Sequence, residues 1–294
     1  MDAIVFYLFY SINWIITLLP LRVLYLFSGV FYFLIYYFPG YRKKVVATNL
    51  RNAFPEKSEK ELKSIERKFY SHLADLMIEI MKLTHMSHKE MRKRMVYENP
   101  ELLSRLYREG RDIVCVLGHY NNWEWTRQIT EISGYTFISA YKPIKNEYFD
   151  RFMNSLRLKG GAVLSPMSMV LRDLISYRKK GIHTFSGYLT DQTPAKSEIQ
   201  YWTTFLNQDT PVYQGPAKIA SKFNMAVIFM NIQKVKRGYY RTKMELLIEN
   251  AGGLTETHIT ETHVKRLDEL IRERPEFWIW SHRRWKHKRV TLNG

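Results

Sequence analysis

His119 and Glu124 are separated by four residues in Leu117-Gly118-His119-Tyr120-Asn121-Asn122-Trp123-Glu124-Trp125. An imidazole can take the proton of a hydroxyl, and a carboxylate bonded to its other ring nitrogen fixes the tautomer and stabilises the imidazolium that forms. The pair supplies the base and the orienting group of a triad, with a substrate hydroxyl as the nucleophile. Gly118 is expected to let the backbone turn tightly. Glu124, in the first turns of a following helix, is expected to fold back to the imidazole. On spacing alone, a hydrogen-bonded structural histidine fits the same residues.

The elements that must hold this pair follow from periodicity. Residues 112–118, 136–141, 182–190 and 226–232 are short apolar or mixed runs that read as strands, and 239–248 adds a more exposed one. Residues 147–158 and 167–178 have helical spacing, and 260–272 reads as a last helix stopped before Pro275. The alternation predicts an α/β fold with a mostly parallel central sheet flanked by helices. Such a sheet binds ligands at the C-terminal ends of its strands, which is where His119 falls. Upstream, Ser58-Glu59-Lys60-Glu61 reads as a capping box. Leu62, Ile65, Phe69, Leu73, Leu76, Ile80 and Leu83 then mark one long amphipathic scaffold helix.

A chain of 294 residues can bury one substantial core without disulfides. Its single cysteine, Cys115, lies in an apolar run and reads as a small buried hydrophobe, so no cysteine-rich metal site is available. The net charge of +17 implies an acidic partner. Residues 1–40 carry only Asp2 and Arg22 as charges, while basic residues gather at Arg42-Lys43-Lys44 and at 282–289. An uncharged aromatic leader before a basic body suits a membrane surface, and no nucleic-acid module accompanies the basic runs, so no nucleic-acid partner is expected.

The leader has two apolar stretches, 3–19 and 23–38, joined by Pro20-Leu21-Arg22. Each is at or just below the roughly 17 residues that span a bilayer. One short anchor, an interfacial helical hairpin, or a pair of core helices all fit. No basic region precedes the first stretch, so a cleaved signal peptide is not expected. The basic cluster after residue 40 places the body on the cytoplasmic side. The expected organisation is a membrane-associating helical segment over 1–40 and a catalytic domain over 41–294. No His-Glu-x-x-His, P-loop, Gly-x-Gly-x-x-Gly or Gly-x-Ser-x-Gly occurs, which leaves zinc hydrolysis, nucleotide chemistry and an ordinary serine lipase without support.

Five stretches in order carry a family resemblance. His119 to Glu124 resembles the His-x-x-x-x-Asp/Glu motif of the glycerolipid acyltransferases. Arg42-Lys43-Lys44 through Asn49-Leu50 to Phe54-Pro55, Asp191-Gln192-Thr193-Pro194, Phe205-Leu206-Asn207 with Gly215-Pro216, and Pro275-Glu276-Phe277 with Trp280 and His282 to Lys286 resemble the lipid A biosynthesis acyltransferase branch, the lauroyl and myristoyl transferases. Asn207 departs from the glycine common at its position, although asparagine also tolerates positive φ.

The resemblance implies transfer of a fatty acyl chain from acyl carrier protein to a hydroxyl of a lipid A precursor. The enzyme would work at the cytoplasmic face of the bacterial inner membrane, with His119 as base and Glu124 as its partner. No cofactor is implied beyond the carrier's thioester, and the acidic carrier agrees with the basic chain. Asp191 and Gln192 would shape the site from a neighbouring strand end, or serve only as turn residues. Arg157 would hold a lipid phosphate or the carrier's phosphopantetheine, or stand as a solvated helical arginine. Read from composition and not from the resemblance, Arg284 in the basic-aromatic run is expected to meet a lipid phosphate or to belong to a solvated tail. The sequence does not identify the oxyanion donors, for which Asn121 or backbone amides near the His119 turn are the candidates. The same motifs allow a lysophospholipid or aminolipid acceptor, or an inert membrane-binding homologue.

Overall fold

The computed structural model describes residues 2–38 and 40–289, apart from the side chains of Asp2 and Arg127. The expected segments 1–40 and 41–294 extend past the described residues at 1, 39 and 290–294. Nine strands are described: β1 (Met95–Tyr97), β2 (Ile113–Leu117), β3 (Thr136–Tyr141), β4 (Val163–Pro166), β5 (Thr184–Leu189), β6 (Tyr201–Phe205), β7 (Gln208–Val212), β8 (Ala226–Lys236) and β9 (Tyr239–Ile248). The helices are α1 (Asp2–Ile16), α2 (Leu21–Tyr37), α3 (Lys43–Ala53), α4 (Glu59–Lys82), α5 (His88–Arg94), α6 (Pro100–Arg108), α7 (Ile129–Ser133), α8 (Glu147–Leu158), α9 (Val170–Lys179), α10 (Gly215–Phe223) and α11 (Glu256–Glu273).

Seven strands form one sheet in the order β1-β9-β8-β2-β5-β3-β4. β8, β2, β5, β3 and β4 are mutually parallel, while β9 pairs antiparallel with β8 and carries β1 beside it. The mostly parallel sheet expected from the sequence is therefore present, with two reversed strands at one edge. β6 and β7 form a separate hairpin whose turn residues Leu206 and Asn207 have φ of 50° and 59°. Asn207 thus adopts the left-handed conformation that the sequence reading allowed it.

Side-chain alternation along the central strands splits the core in two. Val114, Val116, Val227 and Phe229 face α10 and α11, whereas Ile113, Cys115, Leu117, Ile228 and Met230 face the side where α5, α6 and α8 pack. Cys115 is fully buried, as its apolar context required. The long α4 begins with the expected capping box, Ser58 accepting from the Glu61 amide and Glu61 from that of Ser58, and contributes to both cores.

The two N-terminal helices pack against this body on one side and expose apolar residues on the other. Leu21, Leu24, Ser28 and Tyr36 of α2 are buried at helical spacing. Tyr25 Oη donates to Glu79 at 2.7 Å, and Ser28 Oγ to Asp75 at 2.6 Å, both on α4. Phe6 and Phe9 of α1 pack edge-on or tilted against Phe149 and Phe152 of α8. Outward, Ile4 and Leu26 are 76% and 75% exposed, in company with Leu8, Ile15, Val30 and Phe33. Among the described residues no helix is long and apolar enough to cross a membrane.

Candidate active site

The site is set by strand register. β2 and β5 are adjacent and parallel, with Leu117 opposite Leu189. Two residues past each strand end stand His119 and Asp191, which the register brings side by side. His119 Nδ1 lies 2.6 Å from Asp191 Oδ1, and the His119 amide donates to Asp191 Oδ2 at 2.7 Å. Trp278 Nε1 donates to that same Oδ2 at 2.7 Å. A carboxylate can only accept, so Nδ1 carries the proton and Nε2 presents a lone pair.

Asp191 is fully buried at its side chain, whereas the His119 ring is 12% exposed and can be reached. Burial acts to raise the Asp191 carboxyl. The adjoining imidazole, the His119 amide and the Trp278 indole outweigh burial and hold it below the ordinary aspartate value. Gln192 Nε2 lies 3.1 Å from His119 Nε2, so an exposed carboxamide covers the basic lone pair. Trp123 and the imidazole make a T-shaped contact, the ring centroids 4.8 Å apart.

Gly118 sits where there is little room for a Cβ, and it does not make the turn assigned to it from the sequence. A Cβ at this position would stand 2.7 Å from Leu267 Cδ1 and 3.3 Å from Asp191 Oδ2. The turn itself is made by Asn121, at φ 53°. Asn121 is fully buried, its amide donating to Phe277 O at 3.0 Å and its Nδ2 to Ile232 O at 2.8 Å. Those bonds tie the turn to β8 and to the C-terminal segment. They correct the expectation that Asn121 faces an oxyanion, and the His119 amide, already held by Asp191, is corrected with it.

Glu124 lies in a 3₁₀ turn, Trp123–Gln128, that carries its side chain to Arg157 at the last turn of α8. Arg157 Nη2 donates to Oε1 at 2.5 Å and Nε to Oε2 at 3.1 Å, a bidentate pair. The hydrogen bond expected from the imidazole to Glu124 is thus made to Asp191 instead. Burial works against the Arg157 charge, but Glu124 more than offsets it and raises the guanidinium. Arg157 is accordingly an anchored arginine, not a solvated one, and its Nη1 has no partner among the described residues.

The C-terminal signature is the clamp on this site. Tyr120 and Trp278 form an antiparallel bridge, and Thr193 Oγ1 donates to Arg284 O at 2.5 Å. Thr193 N–H donates to His282 Nε2 at 3.2 Å, which ties the Asp191-Gln192 turn to the same segment. Asn49 Nδ2 then donates to Trp280 O and His282 O, at 2.9 and 3.0 Å, and Arg42 Nη1 to Ser281 O at 3.0 Å. The basic-aromatic run is therefore not one surface strip. Arg284 is only 2% exposed, with Nη2 donating to Pro211 O at 2.8 Å, and burial pushes its guanidinium down to about 10. A lipid phosphate at the surface cannot reach it in this arrangement. Trp285 is buried beside it and donates to Thr210 Oγ1 at 2.7 Å.

The sequence reading did not single out Trp278, although it lies between the quoted Phe277 and Trp280. No short-range pattern marks an indole that closes on a carboxylate 87 residues away.

The arrangement can hold a histidine in one tautomer, with a base nitrogen open to a hydroxyl once a glutamine moves. Residues 2–287 match the family model described as bacterial lipid A biosynthesis acyltransferase. The chain is also 21% identical over 235 residues to a protein of Haemophilus influenzae (strain ATCC 51907 / DSM 11121 / KW20 / Rd) named "Lipid A biosynthesis acyltransferase", covering 79% of this chain and 72% of that one. With the model matching nearly the whole chain, the chain belongs to the bacterial lipid A biosynthesis acyltransferase family.

Proposed function

We propose that this acyltransferase moves a fatty acyl chain from an acyl carrier protein thioester to a hydroxyl of a lipid A precursor, at the cytoplasmic face of the inner membrane. The observation that carries the reading is the bond from His119 Nδ1 to the buried Asp191 carboxylate. It leaves Nε2 as the base and supports the imidazolium that follows. The acceptor hydroxyl displaces the Gln192 carboxamide, gives its proton to Nε2 and attacks the thioester carbon. The tetrahedral oxyanion collapses, the carbon–sulfur bond breaks, and the departing thiolate takes the proton back from the imidazolium. No covalent acyl-enzyme forms, and no metal or organic cofactor is needed.

Partner choice rests on charge and surface. The net charge of +17 favours encounter with an acidic carrier protein and with an anionic glycolipid acceptor. Arg157, fixed by Glu124, keeps Nη1 for a phosphate of either substrate. The outward apolar faces of α1 and α2 dock the chain on the bilayer.

The test is acyl transfer by the purified full chain from acyl-loaded carrier protein to a lipid A precursor, with products read by mass spectrometry. His119→Ala should abolish the mass gain of the acceptor. Unchanged transfer by that variant would overturn the mechanism, and transfer only to a lysophospholipid would overturn the acceptor.

A further inference from the structure

A cleft of about 490 Å³ opens where α1 turns into α2, lined by Pro20, Arg22, Lys82, His85, Glu90 and Arg94 among others, and it shares none of the residues named for the His119 site. Its polar groups are mostly donors. Lys82 Nζ donates to Thr17 O at 2.6 Å and Leu19 O at 2.9 Å, which seats an ammonium against the end of α1 with one donor to spare. His85 Nδ1 is taken by Thr17 Oγ1 at 2.8 Å, leaving Nε2 without a hydrogen-bond partner among the described residues. Arg94 is bonded to Glu90, at 2.6 Å, and to Gly238 O. Glu90, the carboxylate of the lining, is therefore already engaged. Arg22 is exposed and makes no ion pair among the described residues.

Three cations and one committed carboxylate leave this cleft with a net positive charge. Burial lowers both Lys82 and His85; at Lys82 the Glu90 carboxylate offsets part of it while Arg94 adds to it, and at His85 the cations Lys82 and Lys159 add to it. An anion seated here would relieve both effects at once. The lip of the cleft is apolar. Leu18, Leu19, Val23 and Leu26 are exposed around the Pro20-Leu21-Arg22 bend and continue into the outward faces of both helices.

We propose that this cleft binds the phosphate of an anionic lipid, whose acyl chains lie along the exposed faces of α1 and α2. A free phosphate would satisfy the cations but would leave the apolar lip uncovered, which favours the lipid as source. The site rests on the docking of this hairpin at a bilayer and adds to it a defined headgroup contact, so the protein would be oriented by one bound lipid and not by diffuse charge alone.

The experiment is co-sedimentation of the full chain with vesicles of phosphatidylcholine, and of phosphatidylcholine containing a minority of phosphatidylglycerol. Arg22→Gln and His85→Gln are compared with Lys179→Gln, which removes an exposed charge at the end of α9, outside the cleft. Losing one lysine or arginine contact near an anionic surface costs about 1 kcal/mol, so Arg22→Gln should lower the phosphatidylglycerol-dependent affinity roughly fivefold. Lys179→Gln should lower it less than about twofold by screening. Equal losses for Arg22→Gln and Lys179→Gln, or none for Arg22→Gln, would overturn the site while leaving docking intact. Failure of the parent chain to bind either vesicle would overturn docking itself. Inorganic phosphate that binds in an Arg22-dependent manner, without Arg22-dependent vesicle binding, would overturn the lipid in favour of a soluble ligand.

Discussion

His119 and Asp191 each stand two residues beyond the end of one of two adjacent parallel strands, and their side chains meet at 2.6 Å because Leu117 and Leu189 are paired. Asparagine at position 191 would keep the shape and lose the charge. Its carboxamide can donate to Nδ1 and so place the ring proton on Nε2, which removes the base. Asp191→Asn should therefore lower kcat by about 10³ or more, with little change in KM for the acceptor. Stability should fall as well. The Asp191 carboxyl is held below its ordinary value when folded, so its contribution is present above that value and is lost as pH falls through the folded one. Denaturation of parent and variant should differ most near neutrality and converge in acid. A variant with parental kcat would remove Asp191 from the mechanism.

Glu124 and Arg157 act as one unit in this structure, and mutation can distinguish that from the sequence-based expectation that Glu124 serves His119. Glu124 is 8% exposed and Arg157 23% at their side chains, so deleting either strands a largely buried charge. Each of Glu124→Gln and Arg157→Gln should destabilise the chain by about 3 kcal/mol, and the double variant by less than the sum. Their losses of activity should match one another and not accumulate. If Glu124 orients the imidazole, Glu124→Gln would instead reproduce the Asp191→Asn kinetics while Arg157→Gln would not. A double-mutant cycle read by both kcat and denaturation midpoint decides it.

Gln192 covers the nitrogen that must receive the proton. Displacing a hydrogen bond of this kind costs about 1 kcal/mol, so its removal should favour acceptor binding. Gln192→Ala is expected to lower KM for the acceptor about threefold to fivefold, with kcat within about twofold of the parent. A large fall in kcat would mean that the carboxamide contacts the reacting atoms, and its role would then be catalytic.

Much of the scaffold is legible because apolar periodicity decides it. β3, β9 and α8 have the expected limits, and the other expected strands and the long α4 differ by only a few residues except β8, which runs on to Lys236. β1 and β4 have three and four residues, too few for alternation to show, and β6 and β7 carry threonines and a proline where apolar runs were sought. The residues of the site were visible singly, but the bond between them was not. His119 and Asp191 are 72 residues apart, and what joins them is the insertion of β5 between β2 and β3. Glu124 is near His119 in sequence, yet one 3₁₀ turn sends it to a different partner. Local spacing constrains which groups are present at a strand end, while sheet order decides which of them touch.

Acid should destabilise the fold through two histidines held neutral, His263 on α11 and His282 in the clamp. Burial holds His263 and His282 neutral and lowers both to about 4, with His282 further occupied in accepting the Thr193 amide. In the unfolded chain both take up protons near the ordinary histidine value, about 6.5. The unfolded state therefore binds more protons between about 4 and 6.5, and stability declines as pH falls through that window. For the fully buried His263 the effect is about 3 kcal/mol at its acid end. His263→Leu should flatten the decline measured by denaturation midpoints, without moving activity at neutral pH. His282→Gln should flatten it too, but at the cost of activity, because the Asp191-Gln192 turn would lose its tie to the C-terminal segment. Equal slopes for parent and both variants would show that neither histidine is neutral in the folded chain.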